Sequence, residues 1–180
     1  MEKKMAGEPN RGVKGRQNWG TPQWLFDRIE QELGLTFELD VCAEPWSAKC
    51  DRYFTEETDG LAQSWADTTY FCNPPFRMAS RWLEKGLDAA LNHNATGAFV
   101  LPTSTDTVWF HKLALRGFVF LIQGRVNFVE PPDAEPRYDK HGKLIKNGNN
   151  GGSMVVVFHP VLIADPVDEL QIQAVNWRKP

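Results

Sequence analysis

The chain has 180 residues, 42% of them hydrophobic and 24% charged, with 20 Lys+Arg against 23 Asp+Glu for a net charge of −3. This is ordinary globular usage at a length that suits one domain, which excludes wholesale disorder, a collagen-like repeat and a disulfide scaffold. Proteins that coat polyanions are strongly basic, so bulk charge supplies no argument for nucleic acid.

Residues 1–17 lack apolar periodicity and carry Lys3, Lys4, Arg11, Lys14 and Arg16 against Glu2 and Glu8. They read as a flexible arm, either solubilising or touching phosphates, and not as a signal peptide. No apolar run approaches the length of a membrane span. The first helix is expected to have Thr21 as its cap and Pro22 at its first position. Trp24, Leu25, Ile29 and Leu33 form its apolar stripe, and Gly34 ends it. TFELDVCA (36–43) reads as a short strand ending in an acid and small residues, and 44–68 as irregular and polar. TTYFC (68–72) is a second strand, and a helix follows at about 78–92 with Trp82, Leu83, Leu87 and Leu91 on one face. GAFVLP (97–102) is a third strand, and 106–115 is helical with Asp106 near its start. GFVFLIQGRVNFV (117–129) reads as strand, turn and short strand. Residues 131–153, rich in Pro, Gly, Asn and Lys, form a long loop of the kind that is functional or disordered. SMVVVF (153–158) is a further apolar strand, expected to pair antiparallel with FVFLI, and a weakly amphipathic tail runs from 161. Strands alternating with helices argue an α/β layered domain over 18–160, followed by the 161–180 tail.

Chemistry concentrates where the strands stop. Asn73-Pro74-Pro75-Phe76 ends the second strand, and open α/β sheets bind ligands at the carboxyl ends of strands. The two prolines stiffen the turn. The Asn73 side-chain oxygen and the Pro74 carbonyl form an acceptor pair for one NH₂ group, with the flat face of Phe76 beside it. That arrangement suits a flipped-out base bearing an exocyclic amine. The same four residues also read as a plain strand-ending turn over a buried aromatic. Asp40, with small Cys42 and Ala43 after it, reads either as the first turn of a cofactor-binding sheet or as a turn acid. Asp59-Gly60 reads as a turn. There is no GxGxxG and no GxxxxGKT, so a dinucleotide or triphosphate is not supported. Cys42, Cys50 and Cys72 lack CxxC spacing, so no metal is expected, and an odd count suits a reducing compartment. Ser104, Asp106 and His111 are crowded and GxSxG is absent, which disfavours a hydrolase.

NWGTPQWLF (18–26), LDVCAEPWSAKCDRYFTEETDGL (39–61), YFCNPPF (70–76), LPTSTDTVWFH (101–111) and IQGRVNF (122–128) together resemble the small phage and prophage DNA N6-adenine methyltransferases. The resemblance covers about 18–160. It implies a Rossmann-like methyltransferase sheet, mostly parallel with one reversed strand near the end. It implies S-adenosylmethionine as cofactor, double-stranded DNA as partner, and the cytoplasm of a bacterial host as location. A monomer is expected. Thr21 and Pro22 then correspond to the N-terminal cofactor motif, and Asp40, Cys42 and Ala43 to the first cofactor turn. Asp59 corresponds to the acid at the cofactor's adenine, and the ribose acid is one of Glu44, Asp51 and Glu57, with Glu57 preferred. Asn73, Pro74, Pro75 and Phe76 correspond to the target-amine site, with Asn73 also beside the cofactor. Three departures stand out: Ala43 and Glu44 occupy the first turn where glycines are usual, the acid that usually ends the second strand and binds ribose has no single counterpart, and Ser104 stands where relatives often have arginine. Arg77, Arg81 and Arg125, with Arg137, Lys140 and Lys143 of the long loop, are the candidate DNA contacts. The alternatives are an inert DNA-binding relative and an N4-cytosine or RNA methyltransferase.

Overall fold

The computed structural model describes residues 19–134, 136, 138, 141, 151–164 and 172–177. The arm 1–17 and most of the 131–153 loop lie outside the described residues. Helix α1 (Gln23–Leu33) buries Leu25, Phe26 and Ile29 and stops at Gly34, whose φ of 62° is the left-handed conformation that glycine tolerates. Its cap differs from the sequence expectation. Pro22 stands one residue before the helix, with an extended ψ of 143°. Its carbonyl accepts from the N–H groups of Leu25 and Phe26. Thr21 does not cap; its hydroxyl is buried.

The chain continues through β1 (Leu39–Asp40), β2 (Arg52–Tyr53), β3 (Thr69–Cys72), α2 (Ala79–Asn92) and β4 (Thr96–Pro102). Strand β1 is shorter than TFELDVCA suggests because the Asp40 carboxylate accepts the N–H of Cys42, two residues on, and turns the chain away. Helix α3 (Val108–Lys112) is capped by Thr107, which accepts from the Phe110 N–H, and not by Asp106. Strand β5 (Phe118–Ile122) follows, and 126–129 makes only one isolated bridge, Val129 with Gly20. Strand β6 (Ser153–Phe158) pairs antiparallel with both β4 and β5. The segment read as a tail contributes a short helix, α4 (Pro160–Ala164), and strand β7 (Ile172–Val175), which pairs parallel with β5.

The seven strands stand in the order β2-β1-β3-β4-β6-β5-β7. Only β6 is reversed, which is the mostly parallel sheet the sequence implied. Period-two alternation splits the central strands into two apolar faces. Tyr70, Cys72, Phe99, Leu101, Met154 and Val156 face α2. Phe71, Ala98, Val100, Val155 and Val157 face α1. Helices on both sides explain why these strands read as continuous apolar runs.

Two glycines let large aromatics into the first face. A Cβ at Gly97 would strike the Tyr70 ring, and one at Gly86 would strike the Phe99 ring. Tyr70 is wholly buried, donates to the Gly86 carbonyl at 3.3 Å, and packs on Trp65 and Phe99. Gly97→Ala is therefore expected to cost about 3 kcal/mol by overpacking. Urea denaturation reads this out, and a wild-type midpoint would refute the packing argument.

Candidate active site

Parallel strands bring their carboxyl ends to one edge. There the segments after β1, β2 and β3 enclose a cleft of about 490 Å³, within the range of small-molecule sites.

Asp40 forms its floor. The residue is 2% exposed. Its Oδ1 accepts from the Cys42 N–H at 3.3 Å and its Oδ2 from the Lys49 N–H at 3.1 Å. Burial pushes its carboxyl up to about 6, against the opposing pull of those two N–H groups. The carboxylate thus ties both ends of the 42–49 loop to the end of β1. The loop is tied to β2 as well, through Ala43 N–H to the Phe54 carbonyl at 2.9 Å. Burial, with Asp40, Glu44 and Glu56 nearby, pushes the Cys42 thiol up to about 12. It is a neutral small side chain in the wall and not a nucleophile. All three cysteines are free thiols.

Asp59 sits at the rim with φ 47°, its Oδ1 accepting from the Leu61 N–H at 3.1 Å. Gly60 is required there, because a Cβ would strike the Val41 carbonyl. The Gly60 carbonyl accepts from Trp65 Nε1 at 2.9 Å, which fixes this turn to the core. Glu57 is absent from the wall; Glu56 is present. Thr55 and Thr58 close a tight turn around the pair, with the Thr55 N–H donating to Thr58 Oγ1 at 2.8 Å. Glu56 and Glu57 follow β2 by three and four residues, and of the two only Glu56 lines the cleft.

Asn73 follows β3 and lines the cleft together with Pro75. Its Nδ2 donates to the Trp19 carbonyl at 2.6 Å. That bond fixes the amide orientation and leaves Oδ1 as an acceptor without a protein donor among the described residues. Pro74 is buried behind it. Phe76 is 42% exposed, with its ring 6.4 Å from Phe128 in a T-shaped contact. The reading of NPPF as a turn over a buried aromatic therefore does not hold.

Thr21 lines the cleft and its neighbour Pro22 does not. Among the candidate cations, Arg81 is in the wall, while Arg77 and Arg125 are exposed outside it. Arg137, Lys140 and Lys143 lie outside the described residues. Ser104, Asp106 and His111 share no hydrogen bond among the described residues, so no hydrolytic set forms. Sequence reasoning missed Trp19, Glu56 and Trp82. Trp82 looked like one more apolar helix residue, yet its Nε1 is a buried donor with no protein acceptor. Trp19 acts through a backbone carbonyl, which carries no residue signature.

The profile of the DNA N-6-adenine-methyltransferase (Dam) family matches residues 9–177. The chain belongs to this family. Dam-family enzymes are adenine-specific DNA methyltransferases, and this one is similar to two phage members. A DNA N-6-adenine-methyltransferase of Haemophilus phage HP1 is 25% identical over 158 residues, covering 87% of this chain and 86% of the phage protein. One of Escherichia phage T1 is 24% identical over 152 residues, covering 79% of this chain and 62% of the T1 protein. Among the described residues, no helix of this Dam-family chain is long and apolar enough to cross a membrane.

Asp40 makes the fold pH-dependent in a defined direction. Its folded carboxyl holds a proton up to about 6, against 3.8 for a free side chain. Its favourable contribution is full below about pH 4 and is lost as pH rises through about 6, a change of about 3 kcal/mol. The difference in unfolding free energy between pH 4 and pH 7 should shrink by about this amount in Asp40→Asn. An identical pH slope in the variant would show that Asp40 titrates normally.

Proposed function

We propose that the cleft takes S-adenosylmethionine and that Asn73 and Pro74 present the N6 amine of an extruded adenine to it. The observation that carries this reading is the Asn73 amide, whose nitrogen is engaged by Trp19 and whose oxygen is left as an acceptor.

The residues present fit the cofactor. Thr21 Oγ1 and Trp82 Nε1 are buried polar atoms without protein partners among the described residues, and both residues line the cleft. Asp40, Glu44, Glu56 and Asp59 line it against a single guanidinium, Arg81. A wall of carboxylates lowers the energy of a ligand carrying sulfonium and ammonium charges. It also supplies acceptors for ribose hydroxyls and an adenine amine. Glu56 is the ribose acid in this reading and Asp59 the adenine acid. When bound, the cofactor supplies a methyl group on a positively charged sulfur.

The chain's part is to make the target amine nucleophilic. The N6 lone pair of adenine is conjugated into the ring. Asn73 Oδ1 and the Pro74 carbonyl accept its two N–H groups and draw the nitrogen toward tetrahedral geometry. The same acceptors stabilise the positive charge that develops on nitrogen. Holding the amine in line supplies much of the remaining acceleration. Phe76, exposed beside Asn73, stacks on the extruded base, worth on the order of 1–3 kcal/mol. Arg77 and Arg125 outside the cleft contact DNA phosphates of the duplex, with Arg137, Lys140 and Lys143 of the loop as further contacts.

Labelled methyl from S-adenosylmethionine should appear in N6-methyldeoxyadenosine after incubation with unmodified DNA and digestion to nucleosides. Asn73→Ala should lower the rate at least about a thousandfold while cofactor affinity by calorimetry stays within a few-fold. Wild-type activity in that variant would remove Asn73 from the chemistry, and absence of both label and cofactor binding in the native protein would favour an inert DNA-binding relative. Glu56→Gln should weaken cofactor binding about tenfold while Glu57→Gln leaves it unchanged; the reverse pattern would return the ribose contact to Glu57.

A further inference from the structure

Asn73 carries a donor and an acceptor on one planar amide, and only one orientation offers Oδ1 to an amine. That orientation depends on the Trp19 carbonyl, 2.6 Å from Nδ2. Trp19 belongs to no helix or named strand, so its own carbonyl needs a support. The support lies one residue on. Gly20 N–H donates to the Val129 carbonyl at 2.9 Å, and Val129 N–H donates to the Gly20 carbonyl at 2.8 Å. This is an isolated antiparallel bridge outside the seven-stranded sheet.

Both sides of the bridge are anchored. Val126 and Phe128 are buried at 1% and 6% exposure in the core beneath α1. Gly20 packs on Trp46, whose ring would lie 3.0 Å from a Cβ placed there. The Val129 side chain is itself 46% exposed. Its peptide group, and not its side chain, is what the structure uses.

We propose that the main chain of Val129 is a positioning element for methyl transfer. Its two hydrogen bonds hold the 19–20 segment, and the Trp19 carbonyl in turn holds the Asn73 amide with Oδ1 available to the target amine. The inference rests on the reading of Asn73 as the acceptor. With the bridge open, the amide can turn over and oppose one N–H donor with another. The chemical step then slows more than cofactor binding weakens, because Trp19 and Gly20 form one edge of the cleft while the acids of the opposite wall are untouched.

Val129→Pro tests this directly, because proline removes the N–H and keeps the carbonyl. Val129→Ala is its control, removing the exposed side chain and keeping the N–H. In Val129→Pro, kcat should fall about tenfold or more, a larger factor than any rise in the Kd for S-adenosylmethionine, with the Kd for a DNA duplex within twofold of wild type. Val129→Ala should behave as wild type. The Asn73 side-chain NH₂ signal in NMR, assigned by its loss in Asn73→Ala, gives a readout that a merely structural role would not move. One of its protons should exchange slowly in wild type and rapidly in Val129→Pro. An unchanged kcat in folded Val129→Pro, or an equal loss in Val129→Ala, would overturn the proposal. If Val129→Pro does not fold, wild-type hydrogen exchange decides. The Gly20 amide, the Val129 amide and the Asn73 side chain should open together as denaturant is added, and independent exchange of the Asn73 amide would overturn the bridge as its support. Full activity in Asn73→Ala is a separate result that removes the acceptor reading itself.

Discussion

The buried carboxylate of Asp40 is the interaction on which the site depends. It stops β1 after two residues and gathers the N–H groups of Cys42 and Lys49 onto one side chain. The loop between them therefore returns alongside β2 and does not run on as strand. Without that return, the segments after β1 and β2 would not face each other, and the cleft would have one wall fewer. The charge sits almost out of water, which is why its carboxyl titrates high. The same burial that lifts its titration gives Asp40 its structural role, since the two N–H groups it gathers hold the ends of a loop that lines the cleft.

The second requirement is directional. An asparagine amide presents its oxygen in one fixed direction when its nitrogen is engaged elsewhere. Asn73 is fixed in this way by a carbonyl from a segment 54 residues earlier in sequence. Proline at 74 and 75 removes competing N–H groups and stiffens the turn around that amide. The stiffness sits on β3, a strand with paired neighbours on both sides. The position of the Asn73 amide thus derives from the middle of the sheet and not from a surface loop.

Much of the fold was legible because its signals are local. Gly34 marks the end of α1, the period-two apolar runs mark β3, β4 and β6, and NPPF marks a strand end. FVFLI and MVVVF were readable as an antiparallel pair because both are apolar and a loop-rich segment separates them. Strand β7 was not legible. Its IQAV is short and half polar, and its register is set by β5, far back in the chain. The site divided in the same way. Asp40, Asp59 and Asn73 announce themselves by residue type at a strand or turn edge. That Glu56 and not Glu57 lines the cleft was not legible, because spacing cannot resolve which of two adjacent acids turns inward. Trp19 was missed because its contribution is a peptide carbonyl, and every residue has one.

The reversal of β6 has a consequence for how such enzymes diversify. Because β6 runs against β4 and β5, the segment joining β5 to β6 leaves and re-enters the sheet at the same edge as the cleft. Its return is pinned by the Thr103 N–H on the Gly152 carbonyl at 3.1 Å. Both attachment points therefore stay fixed whatever the length or sequence between them, and lengthening such a connection costs little entropy. A stretch of chain attached in this way can change in length or sequence while the strand ends that frame the cleft keep their places.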